Sequence, residues 1–128
     1  MDARTIVETF VVAFGEGRLD DAFALLHDDF VVHAAGDVPY SGDYRGAEGF
    51  SELLGRMLPV LDLTPSPDME FLVDGDKVVL YYRLTFTARA SGASVEMGVT
   101  EVLTVRDGRI AELDVYYKNP SAVAALFG

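Results

Sequence analysis

The sequence predicts an α+β fold: a curved, mostly antiparallel sheet wrapped around N-terminal helices to form a cone with an internal pocket. Three observations carry this expectation. Helical periodicity is concentrated in the first half of the chain, and the second half alternates in long strands cut by tight turns. The strands are also too long and too few for a sandwich.

The elements follow in order. Residues 4 to 16 place Ile6, Val7, Phe10, Val11 and Phe14 on one helical stripe ending at Gly15 and Gly17. A second helix is expected at 19 to 27, with Leu19, Phe23 and Leu26 inward and Asp20 and Asp21 near its N-terminus, where the helix dipole favours acids. "DFVVHAAG" (29–36) is short and β-branched, a strand, whereas "DVPYSGDYRG" (37–46) is turn-rich and holds at most a short one. Phe50, Leu53, Leu54 and Met57 mark a third helix closed near Pro59. After a loop containing Pro65 and Pro67, strands are expected at 69–74, 77–90, 93–106 and 109–118, bounded by Gly75-Asp76, Ser91-Gly92 and Asp107-Gly108. The final "SAVAALFG" reads as a short apolar helix or tail.

At 128 residues the chain is expected to be one domain, 1–128, with a core that needs no staples. The absence of cysteine removes disulfides, thiolate catalysis and cysteine-ligated zinc. "MDARTIVETF" lacks the pattern of a signal peptide and no stretch approaches a membrane span, so a cytoplasmic protein is expected. A net charge of −11, with only ten Lys and Arg, opposes nucleic acid and anionic membrane surfaces. A neutral or cationic small molecule, or another protein, remains as partner.

The segments "LLHDDFVVHAAG", "YSGDYRGAEGF", "VDGDKVVLYYRLTFTAR" and "VRDGRIAELDVYY", in that order, resemble the SnoaL-like, nuclear-transport-factor-like superfamily over nearly the whole chain. The resemblance implies a conical α+β fold, a small organic ligand and a homodimer. It leaves the chemistry open, because the family holds polyketide cyclases, ketosteroid isomerases, limonene epoxide hydrolases and binders.

The turns assign the sheet faces. Unbroken hairpins would set Arg83 opposite Thr100, and Glu101 opposite both Tyr82 and Asp114. One face then carries Tyr81, Arg83, Thr85, Thr100, Val115 and Tyr117; the other carries Leu80, Tyr82, Leu84, Phe86, Glu101, Asp114 and Tyr116. A one-residue bulge would exchange some of these, and Ser91-Gly92 is the weaker turn signal. Periodicity alone presses the second, more apolar face against the helices. The resemblance implies the reverse, since epoxide hydrolases of the family carry a pocket arginine where this chain has Arg83.

Most of the family's equipment is absent. By position, the hydrolase aspartates become Thr85 and Val115, its tyrosine and asparagine become Val32 and Ala34, and the isomerase base also falls at Ala34. Lys118 stands where cyclases and many relatives carry an aspartate. Three catalytic candidates remain. Arg83 is either a structural ion pair or a fixed cation that holds an oxyanion. His33 is a base near neutral pH or a hydrogen-bonded structural residue. Tyr117, or Tyr81, would handle a proton. The expected pocket lining is Phe14, Val32, Tyr40, Met57, Tyr81, Thr85, Thr100 and Val115. Glu101 and Asp114 form an alternative acid pair, with Tyr82 and Tyr116 as donors, unless an interface neutralises them. His27 reads as a helix-terminal residue, and Tyr40 and Tyr44 sit at the expected mouth.

No metal-ligand spacing, nucleophile elbow or phosphate loop is present, and no cofactor is expected. The functional expectation is a cofactor-independent isomerase or cyclase moving a proton on a small, largely apolar carbonyl or polyketide-like substrate. The alternative is a non-catalytic ligand-binding or dimerisation module on the same fold.

Overall fold

The computed structural model of the protein describes all residues, 1–128. Helix α1 (Ala3–Gly15) starts where the Asp2 side chain accepts a hydrogen bond from the Thr5 N–H at 2.9 Å, and it buries Ala3, Ile6, Val7, Phe10 and Ala13. Helix α2 (Leu19–Phe23) is shorter than the periodicity predicts, because the chain is already extended at Leu26. Strand β1 (Leu26–Ala34) pairs in parallel with the last strand there, and sheet pairing overrides the local helical pattern. His27 therefore lies on a strand, not at a helix end.

Strand β2 (Gly42–Arg45) runs directly into α3 (Gly46–Met57), whose apolar stripe of Phe50, Leu53, Leu54 and Met57 is buried. The two elements touch closely. A Cβ at Gly49 would lie 2.9 Å from the Tyr44 carbonyl carbon, so only glycine fits there. Strand β3 (Leu61–Pro65) occupies part of the expected proline loop: Leu61 is fully buried opposite Ala88, and Pro65 is tolerated at the strand's end. Strands β4 (Glu70–Asp74), β5 (Lys77–Ala88), β6 (Ser94–Arg106) and β7 (Arg109–Tyr117) follow, then α4 (Pro120–Ala124) and a 3-10 turn, Ala125–Phe127.

The strands form one sheet in the order β2-β1-β7-β6-β5-β3, with β4 pairing along the first part of β5. The parallel β1–β7 pair makes the sheet mixed, where alternation alone suggested only an antiparallel meander. Curled round α1 and α3, it forms the cone.

Register decides what the cone contains. In the β5–β6 hairpin the pairing is shifted by two residues from the simplest turn, so Arg83 faces Gly98 and Tyr82 faces Val99. An even shift leaves the faces unchanged. The β6–β7 hairpin behaves differently. Thr104 pairs with Glu112 but Val105 pairs with Ile110, leaving Ala111 as an extra residue. This bulge moves Glu101 opposite Val115 instead of Asp114. The bulge thus lies beside the stronger turn signal, not the weaker one.

Candidate functional site

The inward residues of β5 are Val78, Leu80, Tyr82, Leu84, Phe86 and Ala88, all buried. The more apolar face thus meets the helices, as periodicity alone indicated and as the family analogy denied. Arg83 lies on the outer face, half exposed, with its guanidinium 3.2 Å from Glu96. Tyr81, Thr85 and Thr100 share that face, and the Tyr81 ring lies over Gly98, where a Cβ would come 2.8 Å from its hydroxyl. None of these four lines the cavity. Burying a guanidinium without an acid beside it is far costlier than burying leucine and phenylalanine, and the alternation offers no compromise.

The cone encloses a cavity of about 410 Å³, and 21 of its 26 lining residues are hydrophobic. Phe14, Val32, Tyr40, Met57, Val115 and Tyr117 all line it. The bulge is what delivers the last two. Past Ala111, Leu113, Val115 and Tyr117 face inward together with Tyr82 and Glu101, while Asp114 and Tyr116 face out and hydrogen-bond one another at 2.7 Å. Glu101 and Asp114 are therefore not a pair.

Polar groups cluster on three strands. Tyr82, Val99 and Tyr117 form one cross-strand row, and Glu101 is the next inward position on the central strand. The Tyr82 hydroxyl donates a short hydrogen bond to Glu101 Oε2. Tyr117 and Tyr40 hydroxyls share a hydrogen bond of 2.8 Å, and Phe127 packs against the Tyr40 ring at 5.7 Å between centroids. Glu101 is partly buried and lines the cavity. Desolvation pushes its carboxyl above the ordinary carboxylate range, against the opposing pull of the Tyr82 hydrogen bond. Burial likewise raises Tyr82 and Tyr117, and lifts Tyr40 to about 12, so all three phenols are neutral donors at physiological pH. The remaining charged lining residues, Asp62 and Arg89, sit at the rim and pair at 2.9 Å, with Arg89 Nε also donating to the Leu58 carbonyl. Asp62 stands on β3, in a stretch whose prolines read as a loop, so the sequence gives no sign of this rim pair. No cluster of three His, Asp or Glu side chains is placed to hold a metal ion.

His33 lies outside the cavity. Its Nδ1 stands 2.7 Å from Asp43 on β2 and its Nε2 2.8 Å from Glu112 on β7, which makes it a clasp across three strands. With a carboxylate at each nitrogen, the doubly protonated ring satisfies both. The Asp43 bond is the main cause holding its pKa above 6.5, partial burial opposes, and the Glu112 bond adds to the rise. A raised folded-state pKa stabilises the fold fully below the unfolded value of about 6.5 and loses that contribution as pH rises through the folded value. Wild type is accordingly expected to exceed His33→Gln in urea midpoint at about pH 6, with the gap closing as the ring deprotonates. Because the clasp is partly solvent-exposed the gap is small, and a gap that widens with pH would show the sign to be wrong. Lys118 is exposed beyond the end of β7.

Fold and site together define a conical α+β protein with a largely apolar cavity. Residues 7–113 match the SnoaL-like domain model, and the chain belongs to that family. No curated protein is a significant sequence match. Among solved structures, an NTF2-like protein of Burkholderia thailandensis E264 superposes with a TM-score of 0.88 at 23% identity, over 98% of each chain. A candidate polyketide cyclase of Xanthomonas campestris pv. campestris gives 0.82 at 20% identity, over 97% of this chain and 96% of that one. TerC co-crystallised with polyporic acid gives 0.84 at 18% identity, over 98% of each. At these identities the likeness is one of fold.

Proposed function

We propose that the protein is a cofactor-independent enzyme that moves a proton on a small, largely apolar carbonyl or polyketide-like substrate. The single observation carrying this reading is Glu101, a carboxyl held by Tyr82 inside an apolar cavity with its second oxygen unpartnered. A carboxylate so placed takes a proton from carbon beside a substrate carbonyl, becoming the neutral acid while the substrate becomes an enolate. The Tyr117 hydroxyl, backed by Tyr40, is the donor available to the enolate oxygen. Returning the proton to another carbon isomerises the substrate; attack of the enolate carbon on a second carbonyl, followed by protonation of the new alkoxide, closes a ring. Neither route needs an oxidant or reductant. Neighbours described as candidate polyketide cyclases, and one co-crystallised with polyporic acid, support an oxygenated, ring-forming substrate class.

The test is catalysed hydrogen–deuterium exchange. In D₂O, cyclic 1,3-diketones and aryl ketones are expected to lose their activated protons faster with the protein than with buffer matched for pH, followed by NMR. Ligands that bind without any accelerated exchange would favour the alternative, a binding module. One observation speaks for that alternative: Glu101 is the only acid in the cavity interior, with no second carboxylate to relay the proton.

A homodimer through the outer sheet face belongs to the same reading. Leu72, Val73, Tyr81 and Tyr116 leave apolar surface exposed on or beside it. Sedimentation equilibrium should return twice the chain's 13.9 kDa at micromolar concentration, and a monomer mass would refute it.

A further inference from the structure

The interior of the cavity is charged in one sense only. Of the three charged residues that line it, Asp62 and Arg89 neutralise each other at the rim, and Glu101 is alone inside. Arg89 apart, none of the chain's ten Lys and Arg side chains reaches the cavity wall. The groups facing Glu101 are phenols: Tyr82 from β5, which occupies Oε2, and Tyr117 from β7, which is tied to Tyr40. Glu101 Oε1 has no protein partner, yet it is not walled off, since no side-chain oxygen or nitrogen is both buried and unsatisfied. An ion-pairing partner for this carboxylate must therefore come from outside the chain. The rest of the wall suits such a partner, because Phe10, Phe14, Phe50 and the three tyrosines present aromatic rings that attract cations.

We propose that the cavity binds organic cations, specifically lipophilic primary or secondary amines, with the ammonium group on Glu101 Oε1 and the apolar body among Phe10, Phe14 and Phe50. The ammonium supplies the charge-assisted hydrogen bond that the chain itself withholds. The net charge of −11 steers cations toward the mouth and opposes carboxylates. Bringing an ammonium to a desolvated carboxyl also favours its ionised form, so amine uptake releases a proton from whatever fraction of Glu101 is protonated. The proposal shares the Glu101 carboxylate with the proton-transfer reading but requires binding and no turnover.

Isothermal titration with 2-naphthylmethylamine, 2-naphthylmethanol and 2-naphthoate tests it. These three share one apolar body and differ only in charge. At about pH 8 the amine is expected to bind tenfold or more tightly than the alcohol, and the carboxylate not measurably. Below the titration of Glu101 the amine's advantage should fall by about tenfold per pH unit. In Glu101→Gln the amine's advantage over the alcohol disappears. Equal binding of amine and alcohol by wild type overturns the proposal. So does an amine preference that survives in Glu101→Gln, carboxylate binding equal to the amine's, or no binding of any probe. Should the variant not fold, the pH dependence in wild type decides alone.

Discussion

Glutamine at position 101 is expected to lower the rate of catalysed proton exchange by 10²- to 10⁴-fold, the range over which a positioned general base contributes. The amide keeps the side chain's size and still accepts the Tyr82 hydrogen bond, so the cavity is preserved while the titrating group is lost. Stability should move the other way. Glu101's folded-state pKa is raised, so the native state binds more protons than the unfolded chain between the two values. Its ionised form therefore destabilises the fold progressively as pH rises from the unfolded value of 4.5 through the raised one, and glutamine removes that penalty. An inactive variant that melts no lower than wild type at pH 8 is the signature of a chemical role. A Glu101→Gln protein exchanging protons within threefold of wild type would remove Glu101 from the mechanism. In wild type the rate should climb with pH as the carboxyl ionises, and this limb should vanish in the variant.

Phe50→Ala should have the largest effect on stability, about 3–5 kcal/mol, against a total of about 5–15 kcal/mol for domains of this kind. Phe50 is the hub of the aromatic core. It meets Phe10 at 6.3 Å, Phe14 at 5.8 Å, Phe23 at 5.6 Å and Phe30 at 5.6 Å between centroids, the last ring stacked at 8°. Those four rings come from α1, the α2 region and β1, so no single neighbour can move to refill the space. The site also borders the existing cavity, so truncation enlarges a void instead of creating one that collapses. Urea unfolding reads the effect through the midpoint at constant m-value. A loss under about 1 kcal/mol would mean that the cluster adapts and the aromatic hub is not structural.

Helices α1 and α3 are legible because their apolar stripes have the right period: Phe50, Leu53, Leu54 and Met57 are all buried on α3, as spaced. The long strands were legible because Gly75, Asp107 and Gly108 take the positive φ that their turns demand. The site was legible only in part. Alternation along β5 assigns Leu80, Tyr82, Leu84 and Phe86 to the interior, where the structure has them, whereas the resemblance with its pocket arginine implies the opposite face. A signal for the bulge was also present, since Ile110 and Leu113 are both buried and stand an odd number of residues apart. A regular strand cannot point both the same way.

What the chain determined by itself was therefore most of its elements and its fold class, because period, turn chemistry and hydrophobic content are local properties. Tertiary structure alone decided the pairing of β1 with β7, the strand at Leu61–Pro65, and the company Glu101 keeps. Those depend on which backbone groups find partners across the sheet. One unpaired residue at Ala111 was enough to exchange Asp114 for Val115 and Tyr117 inside the cone, because side chains alternate strictly and each single-residue shift reverses everything beyond it.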